Sequence, residues 1–444
     1  MRNEVRAGSI QQGIAAKVRW RLALPCILFM LMSSLDRANI SFAAARMNAD
    51  LGFSPTQYGF GAGILFAGFL LGQYPSLWLL QRVGMRRWIA CCALLWGCSA
   101  AALGLIHGHT SFYMLRVLIG AAEGGLAPGI VFYLSQFATE RERAQTFTLP
   151  MLAIPLSVVI GGPLSGWLLG LDNLPMPSWR FMFCAEALPA LLLGVAALFC
   201  FPNQPAEAHW LDQDERRWLE ANAARRADAR HNDWSVLRQP LIWLSGLLWF
   251  CLLSSSYGLI FWLPQVIHSL TGLAPMGIGV ITALPWVGVA IGMYANATHS
   301  DRTGERYWHI ALPALLAAVA LMAAWQLGAG ALALVALLVL GLGLGSSQGA
   351  FWALPTQLLS SSAFGVAVVA INIAGSAGGL VMPQVMGYAR EHSGGYGVPT
   401  ALVVGVLAVA AALVAAIRIT YRRELDALAV SGNSHRAVES QRHA

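Results

Sequence analysis

Charged residues are scarce in this chain. Only 11% of its 444 residues are Asp, Glu, Lys or Arg, whereas soluble domains carry about 25%. With 57% hydrophobic residues, the chain cannot cover itself with a polar surface, and we expect a lipid bilayer to be its solvent. The apolar runs are about 20 residues long and do not alternate, which predicts membrane helices and not a β-barrel.

Motifs for metal, cofactor or covalent chemistry are also missing. The seven cysteines form no CxxC pair and fall in or beside apolar runs, and the ten histidines are scattered. The zinc-protease motif HExxH does not occur. The sequence therefore predicts no metal site, no cofactor and no enzyme.

Hydropathy predicts an all-α membrane protein with twelve transmembrane helices. The polar stretch 202–238 divides them six and six, so the predicted parts are an N-terminal segment (1–21), a first six-helix half (22–201), a central loop (202–238), a second half (239–423) and a tail (424–444). The predicted spans are 22–44, 57–80, 88–106, 111–135, 144–170, 178–201, 239–267, 276–298, 308–327, 330–355, 364–389 and 399–420.

The basic residues are distributed asymmetrically. Of the 28 Lys and Arg residues, 23 fall in the two termini and in alternate loops, and only Arg46, Arg180 and Arg390 fall in the opposite loops. This asymmetry predicts that both termini and the central loop are cytoplasmic, in a bacterial-type inner membrane. The basic residues that give the net charge of +7 lie between the spans, so the charge does not indicate a nucleic-acid partner.

A short motif occurs once in each half. The segment LWLLQRVGMRR (77–87) follows span 2, and NATHSDRTGER (296–306) follows span 8. Their alignment pairs Gln81, Arg82 and Gly84 with Asp301, Arg302 and Gly304. The repeat predicts two parallel six-helix units with a substrate site at their interface. Each Gly would supply a tight turn and each Arg an anchor at the lipid surface.

Five charged residues lie in the interiors of the apolar spans, away from their ends: Asp36, Arg37, Arg116, Glu123 and Glu186. Each costs at least about 2.5–3.5 kcal/mol at mid-bilayer, so function is the default reading. Asp36 lies about 21 Å into span 1, a little past the bilayer centre.

Two of these carboxyls suit proton transfer. Glu123 is near the centre of span 4, and Arg116 precedes it by two helical turns on the same face. A buried carboxyl near an Arg can bind a proton and release it when its surroundings switch, so we predict that Asp36 and Glu123 are proton sites. Arg37 is always charged and can grip a carboxylate bidentately, so we predict that it holds an anion. The alternative is that these charges only hold spans together. For Glu186, near the outer end of span 6, the favoured interpretation is a structural role, as a helix cap or as a partner of Arg180.

Several segments resemble the major facilitator superfamily and, more narrowly, its anion:cation symporter family of organic-acid, sugar-acid, tartrate and phthalate transporters. The similarity covers residues of roughly 20 to 420. It is carried by SLDRANISFAAARMNADLG (34–52), LRVLIGAAEGGLAPGIVFYL (115–134), YGLIFWLPQVI (257–267) and NIAGSAGGLVMPQVMGY (372–388). Gln81 departs from the acidic residue usual in the first interspan loop.

The resemblance implies a monomer that takes up a small organic anion together with protons by alternating access. The proton gradient would supply the energy. Anion exchange and efflux remain alternatives, although span 7 lacks the Arg that exchangers of organophosphates carry.

The resemblance also implies roles for individual residues. Asp36 and Glu123 match proton sites and Arg37 matches a substrate site, while Asn372 and Trp352 fall where galactonate carriers contact their ligand. Tyr257 and Phe69 complete the predicted substrate set, and Phe69 stands where a Tyr is usual, which suggests an acid less hydroxylated than a sugar acid. The predicted structural or gating set is Arg116, Arg82, Gly84, Asp301, Arg302 and Gly304.

Overall fold

The structure is a computed structural model that describes residues 13–137, 153–219, 234–358 and 361–442. Every regular element in those ranges is a helix. The main helices are α1 (Leu24–Leu51), α2 (Pro55–Leu103), α3 (His109–Glu123), α4 (Leu126–Phe137), α5 (Ala153–Leu169), α6 (Ser178–Cys200), α7 (Pro240–Thr271), α8 (Pro275–Thr303), α9 (Trp308–Leu327), α10 (Ala331–Phe351), α11 (Ala353–Leu358), α12 (Ser361–Ser393) and α13 (Gly397–Arg442).

Within the described ranges, nine helical segments are long and apolar enough to cross a membrane. Helix α5 is equally apolar but shorter, and the start of predicted span 5 at residue 144 lies outside the described residues. Helix α1, which carries Asp36 and Arg37, is not among the nine. The all-helical prediction is confirmed, whereas the count of twelve spans and the domain boundaries stay predictions.

Helix α2 contains two predicted spans in one element. Its 49 residues would measure about 74 Å if straight, more than twice the thickness of a bilayer core. The helix breaks at Gly84, whose φ of 78° and ψ of 167° lie outside the helical region. The bend separates the two spans because glycine adopts positive φ without steric cost.

Predicted span 4 forms one apolar segment, His109–Phe137, with a short interruption. It divides into α3 and α4 at Gly124 and Gly125, directly after Glu123. A Cβ at Gly124 would stand 2.1 Å from the Phe69 carbonyl oxygen, and one at Gly120 would stand 1.9 Å from that of Leu65. Such close approach of two helix backbones requires glycine. Continuous hydropathy through residues 111–135 gave no sign of this break.

The two halves of the chain touch at one end of the molecule. The start of α2 packs against the end of α12, where a Cβ at Gly59 would meet the Pro383 carbonyl oxygen at 2.4 Å. The end of α5 meets the start of α8, where Gly162 and Gly279 approach equally closely. The Tyr58 hydroxyl also donates a hydrogen bond across the halves, to the Phe261 carbonyl oxygen at 2.9 Å. We call this region the closed end.

The halves separate toward the opposite end. On α12, Gly379 packs against Phe66 of the first half. Asn372 lies two turns earlier on the same face of the helix, and it is exposed. The space between the halves therefore opens toward the end that carries the Arg82 and Arg302 loops.

At this open end, the N-terminal segment contacts the central loop. Lys17 donates to Glu215 at 2.8 Å and to Asp212 at 3.3 Å, and the Glu215 carboxylate raises the pKa of Lys17 above its ordinary value. Residues 213–219 are helical. Leu211 and Leu219 pack in one apolar cluster with Ile14. The central loop is thus anchored to the first half.

Candidate functional site

Asp36 and Arg37 point to different neighbours from adjacent positions on α1. The Trp96 indole on α2 donates to Asp36 Oδ2 at 2.7 Å. Arg37 Nη2 donates to Glu123 Oε2 on α3 at 3.0 Å and to Ser33 at 3.4 Å. Successive helix residues diverge by about 100°, and this divergence gives the two charges separate surroundings.

The Arg37–Glu123 pair is deeply buried. The Glu123 side chain is 0% exposed and that of Arg37 is 13% exposed. Glu123 ends α3 at the Gly124 break, so its carboxyl projects where the α2 and α3 backbones are closest. Its second oxygen, Oε1, has no protein hydrogen-bond partner. A buried ion pair with a free acceptor is sensitive to any proton or anion that enters.

Aromatic residues surround Arg37. Its guanidinium carbon lies 5.4 Å from the centre of the Phe69 ring on α2. Tyr257 on α7 is close enough to interact electrostatically with Arg37, and its ring lies 4.4 Å from that of Phe66. Arg37 is thus reached from both halves of the chain, and the structure brings together the predicted residues Arg37, Glu123, Phe69 and Tyr257.

Arg116 is fully buried but does not pair with Glu123. Its Nε and Nη2 donate to the carbonyl oxygens of Gly61 and Ala62, each at 3.2 Å. Seven helical residues separate it from Glu123 by about 10 Å along the axis, and Arg37 already occupies the Glu123 carboxylate. Arg116 and Glu123 therefore do not form an ion pair. Arg116 fastens α3 to α2 beside the closed end, 5.8 Å from the Phe261 ring.

The predicted residues of the second half lie around a different aromatic group. The Trp352 ring is 5.4 Å from that of Trp249 on α7, and the Phe351 ring stacks on Trp249 at 4.5 Å. Gly375, on α12 near Asn372, packs directly on Trp249. Among the described contacts, none joins Asn372 or Trp352 to Arg37.

The sequence did not single out two tryptophans that contact predicted site residues. The Trp249 indole nitrogen is buried without a protein hydrogen-bond partner, so it is a free donor beside Trp352. Trp96 fixes Asp36, as described above. Neither stands out in a chain with 16 tryptophans, because a partner on another helix leaves no local signal.

The partners of Glu186 and Arg180 also differ from those expected from the sequence. Arg180 pairs with Asp50 at 3.7 Å and donates to the Gly104 carbonyl oxygen. Glu186 instead accepts from the Ser165 hydroxyl at 2.7 Å. Pairing with Arg180 is therefore wrong: Glu186 lies about two turns deeper along α6, where it is 4% exposed.

The repeated loop motif lies apart from the central residues. Gly84 and Gly304 both have positive φ, of 78° and 72°. Arg82 stacks on the Trp78 ring at 4.0 Å. Asp301 pairs with Arg306 at 2.7 Å, and Arg302 is exposed.

The first-half loop, which has Gln81 instead of an acid, is held differently. The Arg86 backbone N–H donates to the Asn203 side chain at 3.1 Å, and Arg86 Nε donates to the Phe201 carbonyl oxygen at 2.8 Å. The start of the central loop therefore anchors the bend at Gly84. In the described residues, no cluster of three or more His, Cys, Asp or Glu side chains could hold a metal ion.

The chain matches a family of known proteins over most of its length. Residues 26–383 match the Major Facilitator Superfamily. A protein of Agrobacterium vitis that is named for tartrate transport is 38% identical over 414 residues, which cover 92% of each chain. The "Quinolone resistance transporter" of Acinetobacter baumannii is 32% identical over 390 residues, 86% of this chain and 90% of that one.

A solved structure shows the same fold. A bacterial homologue of the human lysosomal transporter Spinster, in an inward-facing and occupied conformation, has a TM-score of 0.76 at 16% identity. The match covers 92% of this chain and 98% of that one.

Buried charges between two helical halves, a continuous family match and close relatives define a multi-pass membrane transporter of organic substrates, not an enzyme. The chain belongs to the major facilitator superfamily, and its relatives fit the anion:cation symporter type.

Proposed function

We propose that this transporter takes up a small organic anion together with protons by alternating access. It does so as a monomer with twelve spans and both termini cytoplasmic, in a bacterial-type inner membrane. The proton gradient supplies the energy, without a cofactor. The observation that carries the proposal is the buried Arg37–Glu123 pair at the junction of α1 and α3 with α7 of the other half.

The pair offers a simple exchange of partners. Arg37 needs an anionic partner because a buried guanidinium without one is costly. Glu123 fills that role in the empty site, and a substrate carboxylate can fill it equally well. A proton on Glu123 removes its charge, so that Arg37 is free to bind the substrate. When the substrate leaves, Glu123 gives up its proton and pairs with Arg37 again.

Asp36 supplies the second predicted proton site. It is 3% exposed, it accepts only from Trp96, and its Oδ1 has no protein partner. Its charge and that of Glu123 interact. Protonation at one carboxyl therefore changes the proton affinity of the other.

Charge distribution supports an orientation for the closed end. Arg46, Arg180 and Arg390 belong to that end, whereas the basic loops lie at the open end. By the positive-inside rule, the closed end faces outward and the cavity opens to the cytoplasm. Alternating access then requires the α2–α12 and α5–α8 contacts to separate.

The substrate class follows from the site and from the relatives. One guanidinium with a neighbouring Phe69 suits a small carboxylate with few hydroxyls. Tartrate, named in the 38% identical relative, is the first candidate.

The test is uptake of radiolabelled tartrate, and of a panel of small organic acids, into proteoliposomes. We expect accumulation driven by an inward proton gradient and abolished by an uncoupler. Uptake that ignores the gradient but requires an internal anion would establish exchange instead.

Efflux is the second candidate, because the relative named for quinolone resistance is 32% identical over 86% of this chain. Aromatic residues near Arg37, namely Phe66, Phe69 and Tyr257, also suit a planar apolar substrate. Expression in a drug-sensitive host distinguishes the two. Lower drug accumulation without proton-driven acid uptake would favour efflux.

A further inference from the structure

Glu186 on α6 has a buried carboxyl. This carboxyl takes no part in the proposed exchange of partners between Arg37, Glu123 and the substrate. It is 4% exposed. Its Oε1 accepts from the Ser165 hydroxyl on α5 at 2.7 Å, and its Oε2 is buried without a protein hydrogen-bond partner. The carboxyl lies about 12 Å along α6 from Ser178, well inside the bilayer thickness.

Among the residues that the structure describes, no Lys or Arg lies within ion-pairing distance of Glu186, since Arg180 is engaged with Asp50. Glu123, by contrast, has Arg37. An isolated carboxylate in a low-dielectric interior is far more costly than the neutral acid, so the surroundings favour the protonated form.

Asn39 of α1 is the second polar side chain at this carboxyl. It lies within hydrogen-bonding reach of Glu186, and its amide can both donate to a carboxylate and accept from a protonated acid. Asn39 Oδ1 and Glu186 Oε2 are both buried without a protein hydrogen-bond partner. A proton on Oε2 would supply a hydrogen for which Asn39 Oδ1 is an available acceptor.

Glu186 is also coupled to Asp36. Asn39 follows Asp36 by three residues, on the same face of α1, and the charges of Asp36 and Glu186 interact. Helix α5 presents the neutral Ser165 at this carboxyl. On α2, the Ala101 carbonyl oxygen accepts from Cys184, two residues before Glu186.

We propose that Glu186 is a third proton-binding site, coupled to Asp36 across Asn39. In its neutral form, Glu186 leaves Asp36 free to ionise. Once Glu186 loses its proton, the like charge makes Asp36 retain its own. The coupling to transport rests on the proposed proton symport, whereas proton binding at Glu186 does not.

The direct test is infrared difference spectroscopy of the full-length protein in lipid, which detects the carbonyl stretch of a protonated carboxyl. We expect this band at neutral pH in the wild type and its loss in Glu186→Gln. The matched control is Asp212→Asn, because the Asp212 side chain is 80% exposed. A band that Glu186→Gln leaves unchanged at neutral pH would overturn the proposal.

A second variant keeps the proposal testable if Glu186→Gln does not fold. Ser165→Ala removes the donor that supports the charged form, so its carboxyl band should persist to higher pH than in the wild type. A band that disappears at the same pH in both proteins would contradict the proposal.

Transport gives a separate readout. In Glu186→Gln, Asp36 no longer has a neighbouring carboxylate, so the alkaline limb of proton-driven uptake should move down by about one pH unit. An unshifted limb would contradict the coupling to Asp36. If wild-type uptake ignores the proton gradient, the proposed symport fails, and the infrared result still decides whether Glu186 binds a proton.

Discussion

Arg37 combines a permanent charge with a partner that can be exchanged. Among its described contacts, Glu123 is the single carboxylate within ion-pairing distance, at 3.0 Å. A guanidinium presents several N–H groups in one plane, so it can hold a carboxylate through two parallel hydrogen bonds. The residue-scale predictions concern the two members of this pair.

Replacing Arg37 by Lys keeps the charge but removes the planar fork. We expect the affinity for tartrate to fall about tenfold or more, because one lost charged hydrogen bond costs about 1.5–3 kcal/mol. Equilibrium binding to the purified protein measures this. The control is Arg390→Lys at the closed end, where Arg390 lies over the Tyr396 ring. Equal affinity in Arg37→Lys and the wild type would exclude Arg37 as the anion ligand.

Replacing Glu123 by Gln imitates the protonated acid and leaves Arg37 without its countercharge. We expect a loss of stability of about 3–5 kcal/mol, since removing one partner strands a buried charge. Added tartrate should then raise Tm more than it does in the wild type. Gradient-driven accumulation should disappear while exchange persists.

Glu207→Gln is the matched control for Glu123→Gln, because the Glu207 side chain is 37% exposed and its nearest Arg lies at 4.0 Å. Its stability should stay within about 0.5 kcal/mol of the wild type. Accumulation that survives in Glu123→Gln would show that another carboxyl couples the proton.

The sequence identified Asp36, Arg37 and Glu123 because each is costly in lipid. It could not identify Trp96, Ser165 or Asn39 as partners, because these polar residues are tolerated in apolar helices without a local sign. The pairing of Arg37 with Glu123 and not with Asp36 is likewise decided by helix packing. The free-energy cost of a charged residue in lipid thus indicates which residues are functional, and tertiary contacts decide the role of each.

At the scale of the helices, glycine determines how closely α3 approaches α2. Gly120 and Gly124 lie one turn apart and each meets a carbonyl oxygen of α2. We call this contact of Gly120 and Gly124 with α2 the seam. The seam holds Glu123 and Phe69 on either side of Arg37. The sequence predicted both spans but not the seam, since hydropathy does not distinguish a glycine that contacts a backbone from one that faces lipid.

The substitution Gly124→Ala should disturb that seam. Its Cβ would stand 2.1 Å from the Phe69 carbonyl oxygen, so α2 and α3 must move apart, at about 1–3 kcal/mol. We expect a lower Tm and weaker tartrate binding together. Gly405→Ala on α13 is the matched control, because nothing lies within 4 Å of its Cβ. Unchanged binding in Gly124→Ala would mean that the seam does not position the site.

At the scale of the whole molecule, alternating access depends on contacts that must both form and break. At the closed end, Glu391 of α12 accepts from the Ser54 hydroxyl at 2.9 Å and from the Thr56 backbone N–H at 3.0 Å. The second half thereby supplies an acceptor for a free N–H at the start of α2. These polar contacts are few, and the remainder is close backbone packing, which is easily reversed.

A larger side chain at the closed-end contact between α5 and α8 should therefore change which end of the transporter is open. In Gly279→Val, the Cβ would stand 2.1 Å from the Gly162 carbonyl oxygen, so the closed end cannot form and the outward-open state gains population. The reporter is Asn372→Cys in a background without the seven native cysteines, treated with an impermeant thiol reagent on intact cells. We expect labelling from outside only with Gly279→Val. The matched control is Gly277→Val on the same helix, whose Cβ meets only Leu273 at 3.4 Å. Because both substitutions add the same side chain two residues apart, equal labelling in the two variants would refute a gate between α5 and α8.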